Sequence, residues 1–520
     1  MAVLTKETID MKRNFLKYFT VCLAACMGLQ ACDKNFEALN TNPNSSPNPT
    51  PAFVFSKSQL DGAGDVLQLL HGTMQYTTSY NDVAGFGAKY ILAQSGQSWG
   101  VFNNAYPKEI NEIQQVMAQV QGNADQVNLL SAARIWRAYC FSRVTDIYGD
   151  IPYSEAGKGY TDAIYKPKYD EQKNIYADML KELDEAAAAL TTTKTVTFGN
   201  ADLIYGGDVP KWKKFAYSLM LRLAMRMTKV DIAAAETWAK KAIAGGVILN
   251  DADVAKVNGY VSAGQDINKN PLAFNWLNSD YIKADGNSNV EGGKYQDVFI
   301  DYLKANNDPR LGVLSVVWIG GKADTSFAVQ KGMSAKLGTK PADFPTYSEP
   351  NPATILQLNS PYLLITNAET NFLLAEAALR GWYSGASASV SYEAGISASM
   401  RQWSLFGSGA GNITANQIST YIKYHTLNTA GTTAQQMEQI HTQFWVGVFP
   451  NATEVFANYR RTGYPALVPN NYVGNATGGK IFRRFLYPAT EQNLNGENYN
   501  AAIARQGADE FLTRMWWDKP

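Results

Sequence analysis

The stretch DQVNLLSAARIWRAYCFSRVTDIYGDIP, residues 125–152, decides the fold class of this 520-residue chain. Its apolar side chains recur at helical spacing and form one stripe. The stripe consists of Leu129, Ala133, Trp136, Cys140 and Val144. The stretch ends in a Gly-Asp-Ile-Pro turn, because glycine tolerates left-handed geometry and proline disfavours helix in the residue before it. We therefore predict a long amphipathic helix over Asp125–Tyr148.

The same spacing recurs along the chain and predicts a mainly α protein. Asp208 is placed to cap one of these helices, and Pro210 suits its first turn. Small residues such as Ala375 and Ala398 allow close helix approaches, so we expect helical hairpins of the tetratricopeptide type, although no strict repeat is visible. The further predicted helices are 171–190, 210–227, 232–244, 295–305, 367–381, 391–403, 414–424 and 433–446.

Long stretches between these helices lack a helical period and are rich in Gly, Asn, Pro and Asp. We predict a single domain over 52–520, in which a helical scaffold carries an irregular, loop-rich lobe. The scaffold covers mainly 125–246 and 367–446. The irregular lobe covers mainly 52–124, 250–362 and 450–520. Loops on a rigid scaffold commonly carry function, so the lobe is the place to look for a site.

The amino terminus has the order of regions that is typical of a secreted lipoprotein. A basic segment, 12–17, precedes an apolar segment, 19–29, which is too short for a membrane span. A small residue then precedes Cys32, as in the bacterial lipobox. There the cysteine receives a diacylglycerol and becomes the first residue after cleavage. We predict lipidation at Cys32 and attachment of the protein to a membrane by that lipid.

Cleavage before Cys32 would remove a signal peptide over 1–31, for which Met11 is an alternative start. The next residues, 32–51, are rich in Asn, Pro, Ser and Thr, a composition that buries too little apolar surface to order itself. We predict a flexible tether there. Beyond Cys32 the chain contains only Cys140, so no disulfide can form within the mature protein.

Composition excludes some partners and favours others. The chain has 46 Lys and Arg against 46 Asp and Glu, so no bulk field favours nucleic acid, and we predict none as a partner. Aromatic residues make up 12% of the chain while histidine occurs three times, a balance that favours stacking surfaces over acid–base chemistry. Beyond the signal, no apolar run approaches the roughly 18 residues of a membrane helix.

Groups for catalysis or metal binding form no recognisable set. Glu438 and His441 have the i, i+3 spacing used in di-iron bundles, but the second motif that such a site requires is missing. We interpret them as a surface or capping pair. A glycosidase would need two carboxylates across a cleft, for which the sequence shows no motif. We therefore predict no enzyme, no metal site and no cofactor.

Aromatic residues in the predicted loops are the candidates for ligand binding. Trp99 ranks first, because it lies in a polar segment where a ring has little reason to join a core. Trp276 ranks second, since Asn275 and Asn278 beside it supply the hydrogen-bonding groups that sugar sites combine with rings. The further candidates are Tyr76, Tyr80, Phe102, Phe274 and Tyr281. The tryptophans predicted to be core, because they lie on helices, are Trp136, Trp212, Trp238 and Trp403.

Several motifs together resemble the SusD/RagB family of nutrient-binding outer-membrane lipoproteins, in its SusD-like second branch. The most specific motif is Thr145-Asp146-Ile147-Tyr148-Gly149-Asp150-Ile151-Pro152-Tyr153. The others are Asn40-Thr41-Asn42-Pro43-Asn44 after the lipobox, Arg134-Ile135-Trp136 to Arg143, Asn307-Asp308-Pro309-Arg310-Leu311, Leu374-Ala375-Glu376-Ala377-Ala378-Leu379-Arg380-Gly381, Arg460-Arg461-Thr462-Gly463-Tyr464-Pro465 and Trp516-Trp517-Asp518. The resemblance runs nearly from end to end. We interpret the motifs near the carboxyl terminus as packing signatures.

This resemblance implies a fold, a location and a partner. The family has tetratricopeptide-like hairpins that support an irregular lobe with the ligand site. Its members lie on the cell surface of Bacteroidetes, anchored in the outer membrane by lipid. They pair with a TonB-dependent SusC-like transporter, to which they pass oligosaccharides or peptides. We expect oligosaccharide capture here. The alternatives are a peptide-binding lid of the same kind, or a helical-repeat scaffold that binds only proteins and has no glycan affinity.

Overall fold

The computed structural model of the protein describes residues 49–63, 68–80, 88–91, 98–262, 265–278 and 293–520. Helices account for most of this part of the chain, and its strands are short. The helices are α1 (Pro51–Ala63), α2 (Gln68–Thr73), α3 (Gly100–Ala105), α4 (Asn111–Val120), α5 (Val127–Tyr148), α6 (Gly159–Asp162), α7 (Gln172–Ala189), α8 (Val209–Arg226), α9 (Ile232–Gly245), α10 (Pro271–Asn278), α11 (Asp297–Ala305), α12 (Arg310–Leu314), α13 (Asn367–Leu379), α14 (Ala388–Arg401), α15 (Ala415–Tyr424), α16 (Thr433–Gly447), α17 (Ala452–Thr462), α18 (Ala489–Leu494) and α19 (Gly496–Gln506). The strands are β1 (Thr77–Ser79), β2 (Ile151–Pro152), β3 (Tyr169–Asp170), β4 (Ala255–Val257), β5 (Tyr260–Ser262), β6 (Gln265–Asn268), β7 (Gly293–Tyr295), β8 (Ser315–Ile319), β9 (Lys322–Asp324), β10 (Glu349–Pro350) and β11 (Tyr362–Ile365).

The mainly α fold class is confirmed, beginning with the long helix predicted before the Gly-Asp-Ile-Pro turn. That helix is α5, and it ends because Gly149 adopts a φ of 86°, which residues with a Cβ rarely take. The cap predicted for α8 is also present, since the Asp208 side chain accepts a hydrogen bond of 3.0 Å from the Lys211 backbone N–H. The other helices predicted from spacing overlap α7, α9, α11 and α13 to α16.

The scaffold is built from helices that pack on their neighbours. α7 packs on α5 and α8, α8 packs on α9, and α13 packs on α14 and α16. The approach of α14 to α13 is so close that a Cβ added at Gly395 would lie 2.6 Å from the Phe372 ring. The predicted core residues Trp136, Trp212 and Trp403 are buried, whereas Trp238 of α9 is half-buried.

Helices also occur in the ranges where the sequence shows no helical period. α1, α3 and α4 fall largely within 52–124, and α17, α18 and α19 fall within 450–520. α1 packs on α4 and α5, so its stability comes from tertiary contacts more than from its own amphipathic pattern. These two ranges therefore combine helices with irregular segments.

Strand pairing brings together parts of the chain that are far apart in sequence. β1 pairs with β7, and β8 pairs with both β9 and β10, all antiparallel. A hydrogen bond of 2.9 Å from the Tyr295 backbone N–H to the Ser348 carbonyl joins the end of β7 to the residue before β10. These contacts unite residues 77–79, 293–295, 315–324 and 348–350 in one region.

The charged residues of two sequence motifs meet in the interior. The Glu376 carboxylate of α13 accepts two hydrogen bonds, of 2.8 and 2.7 Å, from the Arg461 guanidinium of α17. Arg380 donates to the same carboxylate at 2.8 Å, and the His441 Nε2 of α16 lies 3.0 Å from it. We name these four residues the Glu376 cluster. Its carboxylate is fully buried, so the cluster ties α13, α16 and α17 together without access to ligand.

A second buried network joins the motif at 145–153 to the motifs at 460–465 and 516–518. Asp146 of α5 pairs with Arg226 and accepts a hydrogen bond of 3.1 Å from the Trp517 indole N–H. The Arg460 guanidinium lies 4.7 Å from the Trp517 ring centre and donates to the Asp146 carbonyl. Each of these side chains is at least nine-tenths buried, so these motif residues pack the interior.

The described ranges also bear on membrane crossing and on cysteine chemistry. Within them, no helix combines the length and the apolar character that crossing a membrane requires. Cys140 is a buried free thiol, and burial raises its pKa. A thiol in that setting is chemically inert.

Candidate ligand site

Tyr76 and Trp276, two of the predicted ligand-binding residues, lie inside the main core. Neither side chain is exposed. Tyr76 stacks on Trp445 with ring centroids 5.3 Å apart, and Trp276 meets His71 edge-on at 5.3 Å. The sequence suggested a loop around Trp276, but this residue lies on the buried side of α10, whereas Phe274 of the same helix is 41% exposed. In this structure neither Tyr76 nor Trp276 offers a ring face to a sugar.

Phe102 belongs to a different aromatic cluster. It is 5% exposed and lies on α3, where its ring packs against those of Tyr106, Tyr148 and Tyr487. The distances between ring centroids are 4.6, 5.5 and 6.2 Å. Phe102 therefore anchors α3 to the scaffold, and it too has no free face for a ligand.

Trp99, Tyr80 and Phe274 are the predicted residues that keep part of their surface exposed within the described ranges. Trp99 immediately precedes α3, and its buried indole Nε1 has no hydrogen-bond acceptor within the described ranges. Tyr80 follows β1 and meets the Phe344 ring edge-on at 5.2 Å. In the described structure no ring contact joins Trp99 to Tyr80. The remaining two predicted residues, Tyr281 and the lipidation site Cys32, lie outside the described residues.

Residues that the sequence did not single out complete the surroundings of Tyr80. The Lys294 ammonium lies 4.5 Å from the centre of the Phe344 ring and pairs with one oxygen of the Glu349 carboxylate. The other Glu349 oxygen accepts a hydrogen bond of 3.2 Å from the Trp318 indole N–H. A continuous chain of contacts thus joins Tyr80 to Trp318. We name Tyr80, Phe344, Lys294, Glu349 and Trp318 the Tyr80 face.

Strand register explains why these residues meet. The β1–β7 register places Lys294 opposite the middle residue of β1, two residues before Tyr80. The β10–β8 register places Glu349 beside the strand that carries Trp318. Lys89 fixes the end of β1, because its ammonium donates a hydrogen bond of 2.8 Å to the Tyr80 carbonyl. The half-buried rings of Tyr80 and Trp318 are therefore positioned by strand pairing and by the buried Lys294–Glu349 pair beneath them.

The two buried charges of the Tyr80 face compensate each other. Lys294 and Glu349 have no exposed surface, and burial lowers the pKa of Lys294 while the Glu349 carboxylate opposes that shift. A buried pair is tolerated when further hydrogen bonds satisfy it, as the Trp318 indole does here. The face therefore presents partly exposed Tyr80 and Trp318 rings over a neutralised pair. Sugars match such a surface, since their C–H faces stack on rings and their hydroxyls bond to polar edges.

The structure places His441, one member of the Glu438–His441 pair, in the interior. His441 is fully buried, lies beside Glu376 and contacts the Asn458 amide through Nδ1 at 3.1 Å. Its interpretation as a surface or capping residue is therefore wrong. Burial lowers the pKa of this imidazole, although Glu376 opposes the shift. Among the described residues, no group of three or more His, Cys, Asp and Glu side chains is arranged to hold a metal ion.

Comparison with known proteins identifies the class. A family of the SusD-like type, described as starch-binding and associating with the outer membrane, matches residues 43–488. A chitin-binding protein of known structure shares 29% sequence identity and superposes with a TM-score of 0.78, over 91% of this chain and all of that one. A SusD homolog from Bacteroides uniformis shares 26% identity with a TM-score of 0.75, over 91% and 100% of the two chains.

A third solved structure, a chitin-binding SusD homolog from Flavobacterium johnsoniae, shares 25% identity with a TM-score of 0.72. It covers 90% of this chain and 97% of its own. No curated protein matches the sequence. The chain belongs to the SusD-like family of nutrient-binding proteins that associate with the outer membrane. The resemblance drawn from the sequence motifs is thereby confirmed, and so is the SusD-like fold.

Proposed function

We propose that this protein captures nutrient oligosaccharides at the cell surface and hands them to a TonB-dependent SusC-like transporter. The observation that carries the proposal is the Tyr80 face, where the rings of Tyr80 and Trp318 are partly exposed over a neutralised Lys294–Glu349 pair. Family membership supports nutrient binding in general. The rings of the face favour a molecule with both apolar and hydroxyl-bearing surfaces.

Chitin-type and glucan-type oligosaccharides are the ligand classes to test first. Two solved relatives are chitin-binding by their descriptions, and the matched family is described as starch-binding. A few ring contacts at about 1 kcal/mol each sum to about 4 kcal/mol, which corresponds to an affinity in the millimolar range. Such affinity permits capture and also permits release to a transporter. The proposal is one of binding without turnover, so the sugar leaves unchanged.

The test is a calorimetric titration of the purified protein with chitin, cellulose and starch oligosaccharides. We expect one series to bind and the Trp318→Ala and Tyr80→Ala variants to weaken it by about two- to tenfold, because each removes a ring from the face. Trp238→Ala is the matched control, since Trp238 is half-buried on α9 and lies outside the face. Trp99→Ala tests the first-ranked sequence prediction in parallel.

The outcomes separate the alternatives. Unchanged binding in Trp318→Ala and Tyr80→Ala would remove the Tyr80 face from the proposal, and a loss in Trp99→Ala would move the site there. Binding of peptides but of no sugar would favour the peptide-binding alternative. Binding of neither sugars nor peptides would favour a protein-interaction scaffold. Release of shorter products would contradict binding without turnover.

Surface attachment is the second part of the proposal. A lipid on Cys32 would hold the protein at the outer membrane, and two or three acyl chains anchor durably where one chain binds reversibly. Expressed in its host with a radiolabelled fatty acid, the parent should carry label in the membrane fraction. Cys32→Ser should lose the label and leave that fraction. Label that persists in Cys32→Ser would refute lipidation there. Co-purification of a SusC-like barrel with the parent would support the proposed pairing with a transporter.

A further inference from the structure

A cavity of about 580 Å³ lies beside α15 and shares no lining residue with the Tyr80 face. Its volume falls within the roughly 300–1,000 Å³ of small-molecule sites. Its walls come from the segment 306–313, from Phe327 and from the segment 412–425. We name it the α15 cavity.

The lining of the α15 cavity is aromatic and amide-rich, and it contains no Asp, Glu, Lys or Arg. Tyr424 at the rim of the cavity keeps 73% of its surface exposed, so much of its ring is open to a ligand. The side-chain amides of Asn307, Asn412 and Asn416 have no hydrogen-bond partner within the described ranges. Donors and acceptors without protein partners thus surround a space that also offers ring faces.

The floor of the cavity is rigid. The Tyr421 ring stacks on His425 with centroids 4.0 Å apart and an interplanar angle of 13°. Its hydroxyl accepts a hydrogen bond of 2.9 Å from the Gln443 side-chain amide, which α16 supplies. The Gln443 side-chain carbonyl in turn accepts a hydrogen bond of 2.9 Å from the Arg310 guanidinium. Arg310 is neutralised by Asp308, and both side chains are fully buried.

This floor explains the Asn307-Asp308-Pro309-Arg310-Leu311 motif. Asp308 and Arg310 pair beneath the cavity, whereas Asn307 takes a left-handed φ of 50° and lines the cavity itself. Asparagine tolerates that conformation better than most residues. The motif therefore builds both a charged, buried support and an open amide wall above it.

We propose that the α15 cavity is a second binding site, which takes an uncharged oligosaccharide. Sugar rings present C–H faces that stack on Tyr424 and hydroxyls that bond to the amides of Asn412 and Asn416. A charged sugar or a peptide terminus would meet no compensating charge in the lining. Because the floor is already held in place, binding costs less conformational entropy there. The ligand class is shared with the Tyr80 face, but the residues are not.

The experiment is a calorimetric titration of the purified protein with the chitin, cellulose and starch series, repeated in a Trp318→Ala background. That background removes a ring from the Tyr80 face, so the cavity accounts for a larger share of the binding that remains. We expect residual binding there, and Tyr424→Ala added to it should weaken this binding by about two- to tenfold. Tyr165→Ala is the matched control, because Tyr165 is 79% exposed and does not line the cavity.

A second variant guards against an indirect effect of Tyr424→Ala. Asn412→Ala with Asn416→Ala removes two exposed amides and leaves the floor in place. A similar loss of residual binding in this double variant supports the assignment. Residual binding that neither variant changes overturns it.

Other results distinguish this inference from the proposed function. If Trp318→Ala abolishes all sugar binding and Tyr424→Ala changes none, the second site is refuted and the Tyr80 face stands. If Tyr424→Ala abolishes binding that Trp318→Ala leaves intact, the cavity stands and the Tyr80 face is refuted. If a casein-digest peptide pool binds in place of sugars and is lost in Tyr424→Ala, the oligosaccharide assignment is refuted.

Discussion

The Glu376 cluster and the α15 cavity use polar side chains in opposite ways, and α16 carries one residue of the cluster and one that supports the cavity floor. In the cluster, a fully buried carboxylate meets Arg461, Arg380 and His441. In the cavity, uncharged amides face open space. Gln443, which supports the cavity floor, lies only two residues from His441, and residues two apart point to different sides of a helix. One helix thus divides a paired charged interior from the uncharged surface that we propose as a binding site.

The difference teaches how to separate stabilising polar residues from binding ones in this protein. A buried charge that loses its partner is costly, so charges inside the scaffold are paired and serve stability. An uncharged amide at the surface costs little to leave without a protein partner, so it is available to a ligand. Substitutions in the cluster should therefore change unfolding, and substitutions in the cavity should change binding.

The largest effect is expected at the centre of the cluster. Glu376→Ala leaves the buried Arg461 guanidinium without its carboxylate, which should lower the free energy of unfolding by about 3–5 kcal/mol. Urea unfolding followed by circular dichroism measures this. Glu236→Ala is the control, because Glu236 forms an exposed i, i+4 pair with Lys240, and such pairs contribute roughly 0.3–0.5 kcal/mol. Equal midpoints for the two variants would contradict the stabilising role of the cluster.

A residue between the two regions should affect both properties. Gln443→Leu removes the hydrogen bonds to Tyr421 and Arg310, and leaving buried groups unsatisfied should cost about 1–3 kcal/mol of unfolding free energy. Because Tyr421 is then less well held, residual oligosaccharide binding in the Trp318→Ala background should also weaken. Stability lost with cavity binding unchanged would show that the floor does not position the ligand-binding rings.

His71 provides a third situation, a buried polar group in aromatic surroundings. Its Nδ1 has no hydrogen-bond partner in the described structure, and burial lowers its pKa to about 3. As pH falls, His71 therefore binds a proton in the unfolded chain at a higher pH than in the folded chain. Stability should be complete above the unfolded pKa of about 6.5 and be lost as pH falls toward 3, by about 1.4 kcal/mol at pH 5.5.

The pH test compares the parent with His71→Phe in urea titrations between about pH 7.5 and 5.5, a range that spans the pKa of an unfolded histidine. The variant should show a flatter dependence of unfolding free energy on pH, because it lacks the group that protonates on unfolding. His441 also has a lowered pKa, so part of the slope should remain. Identical slopes would mean that His71 is not held neutral by the fold.

The smallest expected effect on stability is at the cavity rim. Tyr424→Ala should change the free energy of unfolding by no more than about 0.5 kcal/mol, since surface substitutions outside special features stay within that range. Its effect belongs instead to ligand binding. A large drop in the thermal midpoint would show that Tyr424 packs into the fold, and the contrast between cluster and cavity would fail at this residue.

Much of the scaffold could be predicted from local sequence, and the binding surfaces could not. α5 and α8 have an apolar stripe and a recognisable end or cap, and both signals are read within one segment. The loop tryptophans are different. Trp99 and Trp276 have similar polar neighbours in sequence, yet the first is half-buried and the second fully buried. Which ring is exposed depends on what packs against it, and that partner comes from elsewhere in the chain.

The sequence by itself determined the mainly α class, the family, the end of α5 and the cap of α8, because helical period, capping and motif order are local properties. It also indicated that the carboxyl-terminal motifs serve packing. Only the tertiary structure decided that Glu376 and His441 share one buried cluster, that Tyr80 and Trp318 share a face, and that Asn307 and Tyr424 share a cavity. The physical reason is that burial, ion pairing and cavity shape arise between segments distant in sequence, through helix packing and strand register.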